Sequence, residues 1–369
     1  MDFSIATLKL EERLPLELRA LYERYGYRKY RMSQFEEYGL YLENKRFLES
    51  EKLITFHDSA GRLLALKPDV TLSIVKNTRG SRKAAEKLYY IENVFRYAPT
   101  TKEYKEIAQV GLELIGTVGT YEAAEAVTLA AKSLAAIDPD YVIDLSHIGI
   151  LGELMGGLNA PEQVKKSLLK AIRQKNLHDL ARLAEEGGID RAFVDSVTAL
   201  TAVQGDLAAA ISAARKVCPA AKEALDELEA ICAILEAEGL ADKIRADFSI
   251  VNDIEYYDGV IFQGYVGKVP HVVAAGGCYG KLLQKFGKDT DAVGFAVYLD
   301  GLSRYYPTSA FSVDAVVVYE GDPAAALAFA DRLRAQGKTV WMGSTPPVEL
   351  RFKTMYRVGA TGTEEVTNA

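Results

Sequence analysis

An acid, an amide, a hydroxyl and a pair of tyrosines recur in this chain at spacings that would gather them over one surface. In EIAQVGLELIG, Gln109, Gly111 and Glu113 alternate with Val110, Leu112 and Leu114, so in a strand the first three share a face. Arg96 follows Val94 and Phe95 in KLYYIENVFRY, and the run DFSIVNDIEYYDGVIFQGY adds Asn252, Glu255, Tyr256 and Tyr257. Carboxylates, an amide and phenols converging over a sheet would hold a small cationic or hydrogen-bonding ligand, and an amino acid has that chemistry. Taken alone, Gln109 and Glu113 read better as a solvated sheet face; three strands carrying such residues favour a pocket. In Lys67-Pro68-Asp69-Val70-Thr71 a carboxylate and a hydroxyl stand where a strand gives way to a helix. They would cap free backbone amides there, and a capping acid beside a pocket also binds an ammonium group.

Elsewhere the chemistry is sparse. Gly276-Gly277-Cys278-Tyr279-Gly280 lacks the spacing and lysine of a phosphate loop, and its glycines serve close backbone approach. His57, His147, His178 and His271 form no paired-ligand motif, and no serine or cysteine lies in a nucleophile elbow. No metal site, cofactor site or catalytic triad is expected. Cys218, Cys232 and Cys278 show no C-x-x-C spacing, which points to a reducing cytoplasm without a disulfide framework. The formal net charge of -7 argues against a broad grip on nucleic acid. No apolar run approaches the roughly 18 residues of a membrane span, and charges interrupt the N-terminus before a secretory segment develops.

The elements that must position these residues follow from periodicity. Leu14, Leu18, Leu21, Tyr22 and Tyr25 predict a helix over about 9 to 25, with Pro15 in its first turns and Gly26 at its stop. LITFHD and LLALKPD form a hairpin, TLSIVKNT opens a helix, and KLYYIENVFRY and EIAQVGLELIG are strands joined by a mobile TTKEYK loop. An Ala-rich helix and the strand YVIDLSH precede an almost wholly helical insertion at about 160–243. Strands resume at DFSIVNDIEYY, GVIFQGYV and HVVAAGGCYG, and AVGFAVYLDGLSRYY reads as a helix. DAVVVYE, AALAFADRLRAQGK and TVWMGS make one strand-helix-strand unit, followed by a frayed TGTEEVTNA tail. The fold class is α+β: an antiparallel sheet packed by helices. Its domains are a core over 1–305 and a small, truncated α/β segment over 310–369.

In order along the chain, LALKPDVTLSIVKNT, YYIENVFRY with EIAQVGLELIG, DIEYYDGVIF, AAGGCYG and AVGFAVYLDGL resemble the catalytic core of histidyl-tRNA synthetase, a class II aminoacyl-tRNA synthetase. KPDVTLSIVKNT and VFRYAP are closer to a non-synthetase branch of that family, the regulatory subunits of ATP phosphoribosyltransferase, the first enzyme of histidine biosynthesis. The resemblance implies that Asp69, Thr71 and Gln109 hold a histidine ammonium group, that Glu113 and Tyr257 read the imidazole, and that Glu255, Tyr256, Gly276 and Gly277 line the same hollow. It also implies departures. Asn252 stands where the synthetase uses an arginine in histidine activation, and Gly301 stands where an ATP-contacting arginine closes the last motif. Lys102-Glu103-Tyr104-Lys105-Glu106 puts two acids among the phosphate-binding candidates, although Arg96 keeps its place as an anion or phosphate contact. Losing one preorganised charge of this kind costs about 3 to 4 kcal/mol of transition-state stabilisation.

The resemblance therefore implies no catalytic residues and a subunit that recognises histidine without activating it. Its expected partners are the short catalytic ATP phosphoribosyltransferase subunit, L-histidine and a second copy of itself. GYRKYRMSQFEE resembles the dimer motif with Ser33 in place of the usual proline, and the short C-terminal segment argues against tRNA reading. The competing readings are a divergent aminoacyl-adenylate-forming enzyme or amino-acid ligase, and a free-standing amino-acid-binding module.

Overall fold

Alternating side chains along Glu86–Ala98 and Glu103–Gly116 build a long antiparallel hairpin, and the binding face is organised on it. The structure, a computed structural model, describes residues 8–43, 53–98, 101–251, 256–306, 313–348, 350–360 and 362–366. Asn252 and Glu255 lie outside these described residues. The chain forms two compact units, Leu10–Tyr305 and Tyr306–Ala369 with Met1–Lys9.

In the larger unit the described residues include a nine-stranded sheet. Its order is Arg28–Lys29, Glu86–Ala98, Glu103–Gly116, Asp291–Tyr298, Ala274–Cys278, Val260–Val266, Tyr141–His147, Ile244–Asp247 and Gln204–Gly205. The six strands from Glu86–Ala98 to Tyr141–His147 pair antiparallel. Arg28–Lys29 and Ile244–Asp247 join in parallel. The α+β class holds, and the sheet is mixed where a purely antiparallel one was expected.

Each face has its own cover. On one lies the Ala-rich helix Thr120–Ala135, whose small residues admit close packing; a Cβ at Gly264 would fall 2.5 Å from Leu134. Helix Leu10–Arg24 buries Leu14, Leu18 and Tyr22, with the Tyr22 ring edge-on to Phe295 at 6.1 Å. Over the other face sits helix Thr71–Asn77, approached by the small sheet formed by Phe35–Glu37, Leu63–Leu66 and Thr55–His57. Tyr41, Val70, Leu72, Leu88, Tyr90 and Tyr279 share one apolar cluster on that side. The insertion consists of helices such as Glu162–Arg173, Leu177–Glu186, Arg191–Thr201, Leu207–Val217 and Lys222–Ala237. Asn176, Asp190 and Asp206 accept hydrogen bonds from the first-turn amides of three of them.

Four expectations need correction. TTKEYK is not a long loop, because the strands extend to Ala98 and restart at Glu103, these two residues pair, and Lys102, at φ 56°, donates its amide to the Ala98 carbonyl at 2.8 Å. DFSIVNDIEYY does not continue as a strand over 248–251, and 252–255 lie outside the described residues. Pairing ends at Asp247, whose carboxylate accepts the Ser249 amide at 2.8 Å and turns the chain. AVGFAVY is a strand, Asp291–Tyr298, with only Leu302–Tyr305 helical after it. Gly294 and Ala296 are small enough to fit either period, and pairing on both edges decides for the strand. The tail is not wholly frayed, since Gly362–Val366 pairs antiparallel with Phe352–Gly359.

In the smaller unit, Val340–Gly343, Val313–Tyr319 and Phe352–Gly359 run parallel in that order, with Gly362–Val366 added at the edge. Helix Pro323–Ala335 lays Ala326, Ala330 and Leu333 on Ala315 and Val317. Among the described residues no helix is long and apolar enough to cross a membrane. Nor does any group of three or more His, Cys, Asp or Glu there form a metal-binding cluster. The three cysteines are free and buried.

Candidate amino-acid-binding site

The site begins with the polar face of Glu103–Gly116, which is covered and not solvated. Gln109 is 3% exposed and Glu113 2%. Tyr298, Ala296 and Gly294 stand opposite Gln109, Gly111 and Glu113 on one side. On the other side stand Glu92, Tyr90 and Leu88. Burial of a carboxylate this deep calls for donors aimed at both oxygens. The Thr71 hydroxyl donates to Oε1 of Glu113 at 2.8 Å, and the Tyr279 hydroxyl donates to Oε2 at 2.5 Å.

One glycine leaves room for that carboxylate and a second for the ring of Tyr257. Gly294 pairs with both Glu113 and Gly277, and a Cβ on Gly294 would lie 1.7 Å from Glu113 Oε2. A Cβ on Gly277 would lie 2.9 Å from the Tyr257 ring. Gly276 was expected to line the same hollow and does not. Strand alternation turns it to the opposite face, where its Cβ would meet Phe295 at 2.4 Å. Tyr256 stacks obliquely on Tyr279, with ring centroids 5.6 Å apart, and edge-on to Tyr257 at 4.7 Å. Tyr256 also lies within hydrogen-bonding reach of Thr71.

At the other end Asp69 has its anticipated capping character. Its Oδ1 accepts the Leu72 amide at 2.9 Å, tying down the first turn of Thr71–Asn77, while Oδ2 faces Arg96 Nη2 at 3.5 Å. Arg96 Nε donates to the Pro68 carbonyl at 2.8 Å. Gln109 presents a buried Nε2 with no partner among the described residues. An unpaired buried donor is expensive, and a ligand acceptor at that point would satisfy it. Asp69, Thr71, Gln109, Glu113, Tyr256, Tyr257 and Gly277 are thus brought to one face, with Arg96 at its rim.

Burial pushes the Glu113 carboxyl up to about 8, against the lowering effect of the Tyr279 and Thr71 hydrogen bonds; the Asp69 charge adds to the rise. Between its ordinary value of 4.5 and about 8 the folded chain then holds one proton more than the unfolded chain. This contribution to stability is complete below 4.5 and is lost as pH rises through about 8, at a limiting slope of about 1.4 kcal/mol per pH unit for one proton. Denaturant midpoints followed from pH 5 to 8 should fall less steeply in Glu113→Gln than in the wild type; equal slopes would assign the proton elsewhere.

Three participants were not identified from sequence. Tyr279 lies two residues beyond Gly277, a spacing that carried the necessary signal. Gly294 was masked by the helical reading of its segment. Lys67, fully buried, donates to Glu92 Oε2 at 2.5 Å; a pair separated by 25 residues has no local signature.

Residues 2–302 match the family model described as Histidyl-tRNA synthetase. The sheet and its covering helices belong to that class of protein. A solved structure described as an ATP phosphoribosyltransferase regulatory subunit/histidyl-tRNA synthetase from Bacillus halodurans aligns with a TM-score of 0.73 at 24% identity, covering 92% of this chain and 90% of that one. An ATP phosphoribosyl transferase complex from Thermotoga maritima aligns at 0.63 and 19% identity, over 81% of this chain and 99% of its own. At these identities the likeness concerns the fold. A protein of Desulfitobacterium hafniense named ATP phosphoribosyltransferase regulatory subunit is 30% identical over 342 residues, 91% of this chain and 88% of its own. The chain belongs to the ATP phosphoribosyltransferase regulatory subunits of the histidyl-tRNA synthetase family.

Proposed function

We propose that this chain is a non-catalytic regulatory subunit that assembles in the cytoplasm with the short catalytic subunit of ATP phosphoribosyltransferase, activates it and transmits inhibition by L-histidine. The observation that carries the ligand is the buried Glu113 carboxylate with its two hydroxyl donors, beside Asp69 and the unpaired Gln109 amide. A carboxylate and phenols satisfy both ring nitrogens of an imidazole, and Asp69 with Thr71 suits the ammonium group. The reading without catalysis is supported at two places. Arg96 is engaged with Pro68 and Asp69. Gly301, where an arginine would be needed, adopts φ 75°, a backbone conformation that favours glycine.

Self-association through the segment 26–37 belongs to the same proposal. Histidine regulates only if it binds one assembly state more tightly than another, with a coupling of typically about 1 to 3 kcal/mol. The test combines the purified chain with a short catalytic subunit. Phosphoribosyl transfer should rise on mixing and fall when histidine is added, and the chain alone should give no histidine-dependent ATP–pyrophosphate exchange. Robust exchange would make it an adenylate-forming enzyme; exchange-free protein that leaves the catalytic subunit unaffected would be only a binder.

A further inference from the structure

Tyr41 lies on the short helix Tyr38–Glu43, and its side chain is completely buried in the cluster that includes Val70, Leu72 and Tyr279. Tyr256 and Tyr257 pack against the same cluster. The Tyr41 hydroxyl has no hydrogen-bond partner among the described residues. A phenol placed only to fill space gains nothing from an unpaired hydroxyl, because phenylalanine fills nearly the same volume without that desolvation penalty.

Tyr41 packs with Val70 and Leu72, which flank Thr71, Val70 being next to Asp69, and the charges that act on its hydroxyl indicate what could satisfy it. Asp69 and Glu36 are the two anions that act on Tyr41, with Asp69 the stronger. Glu36 is already engaged by the Ser73 hydroxyl at 3.1 Å and by Lys76 Nζ at 3.0 Å. Among the described residues, Asp69 Oδ2 faces Arg96 Nη2 at 3.5 Å. Tyr41 and Asp69 do not bond directly. A group with several N–H donors lodged between them would satisfy both, donating to the carboxylate and to the phenol oxygen.

We propose that Tyr41 is a specificity-determining wall of the ammonium subsite, selecting ligands that carry a primary α-ammonium group. This rests on the amino-acid reading of the pocket and adds a residue to it. The phenol oxygen accepts one N–H of the ammonium, Asp69 accepts a second, and Thr71, whose own hydrogen is turned to Glu113, has a lone pair for the third. The recognised class is thereby narrowed to free amino acids with an unmodified amino group. An N-methylated or des-amino analogue leaves the phenol unpaired.

Isothermal titration of the full chain with L-histidine and with 3-(imidazol-4-yl)propionate, which lacks the amino group, tests this in wild type and Tyr41→Phe. The variant should bind histidine roughly tenfold more weakly, the loss expected for one hydrogen bond to a charged group. Its affinity for the des-amino analogue should be unchanged. Ligand-free Tyr41→Phe should melt no lower than wild type, since the lost hydroxyl has no hydrogen-bond partner among the described residues. Wild-type affinity for histidine in the variant, or equal losses for both ligands, overturns the proposal while the pocket stands. Wild-type protein that binds neither ligand removes the pocket reading itself, and the proposal with it.

Discussion

Gly294→Val should eliminate histidine binding and destabilise the fold, the largest single-residue effect on the site. A Cβ there would stand 1.7 Å from Glu113 Oε2 and 2.5 Å from the Leu112 carbonyl. The first contact expels the carboxylate from its bonds with Thr71 and Tyr279. The second sets the new atom against backbone, which has no rotamer by which to yield. Overpacking of this kind costs about 1 to 3 kcal/mol of folding free energy, and loss of the buried acceptor should weaken histidine binding by at least about a hundredfold. Gly152 provides a contrast: it lies within helix Ile148–Gly156, and an alanine methyl there would meet nothing within 4 Å. Gly152→Ala should bind normally and be as stable as wild type or more so. Titration calorimetry and chemical denaturation of both variants decide the matter, and tight histidine binding by Gly294→Val would mean that Glu113 is not the ligand acceptor.

The second large effect belongs to the buried ion pair. Lys67 is 0% exposed and Glu92 12%. The Lys67 carbonyl also accepts the Phe95 amide at 2.9 Å, fastening the turn before Asp69 to the Glu86–Ala98 strand. Lys67→Met keeps that backbone bond and most of the side-chain volume but leaves Glu92 as a poorly solvated charge without its cation. Removal of one partner from such a pair typically costs about 3 to 5 kcal/mol. Replacing both, as in Lys67→Met with Glu92→Leu, should restore much of the stability, because no lone charge remains. A single variant that unfolds at the wild-type denaturant midpoint would show that the pair contributes nothing to the fold. Glu92 is also the cross-strand neighbour of Gln109, so the unpaired carboxylate in Lys67→Met should draw the Gln109 amide away and weaken ligand binding as well.

The sequence made part of this site legible because strands write their faces in steps of two. Gln109, Gly111 and Glu113 fall on one face by spacing alone. Whether that face is wet or covered is not readable there, since its cover is the Thr71–Asn77 helix, an element about forty residues earlier in the chain. The same alternation, carried from Gly277 to Tyr279, leads to the second donor to Glu113; reading the glycines only as sites of close backbone approach hides it. It also separates Gly277 from Gly276, which a shared motif cannot. Asp291–Tyr298 reads as a helix because glycine and alanine fit a helix face as readily as a strand face, and only neighbouring strands resolve the ambiguity. The assignment of Tyr257 to the imidazole came from resemblance; the structure adds Tyr279, whose hydroxyl donates to Glu113.

Thr71 and Tyr279 already donate to the two oxygens of Glu113, so on the proposed reading an arriving imidazole would have to share or displace bonds that the protein makes with itself. Part of the interaction energy is spent on that exchange, which favours modest affinity and rapid release. On the proposed reading, occupancy would follow the rise and fall of the amino-acid pool instead of locking at saturation, the behaviour a feedback gauge requires.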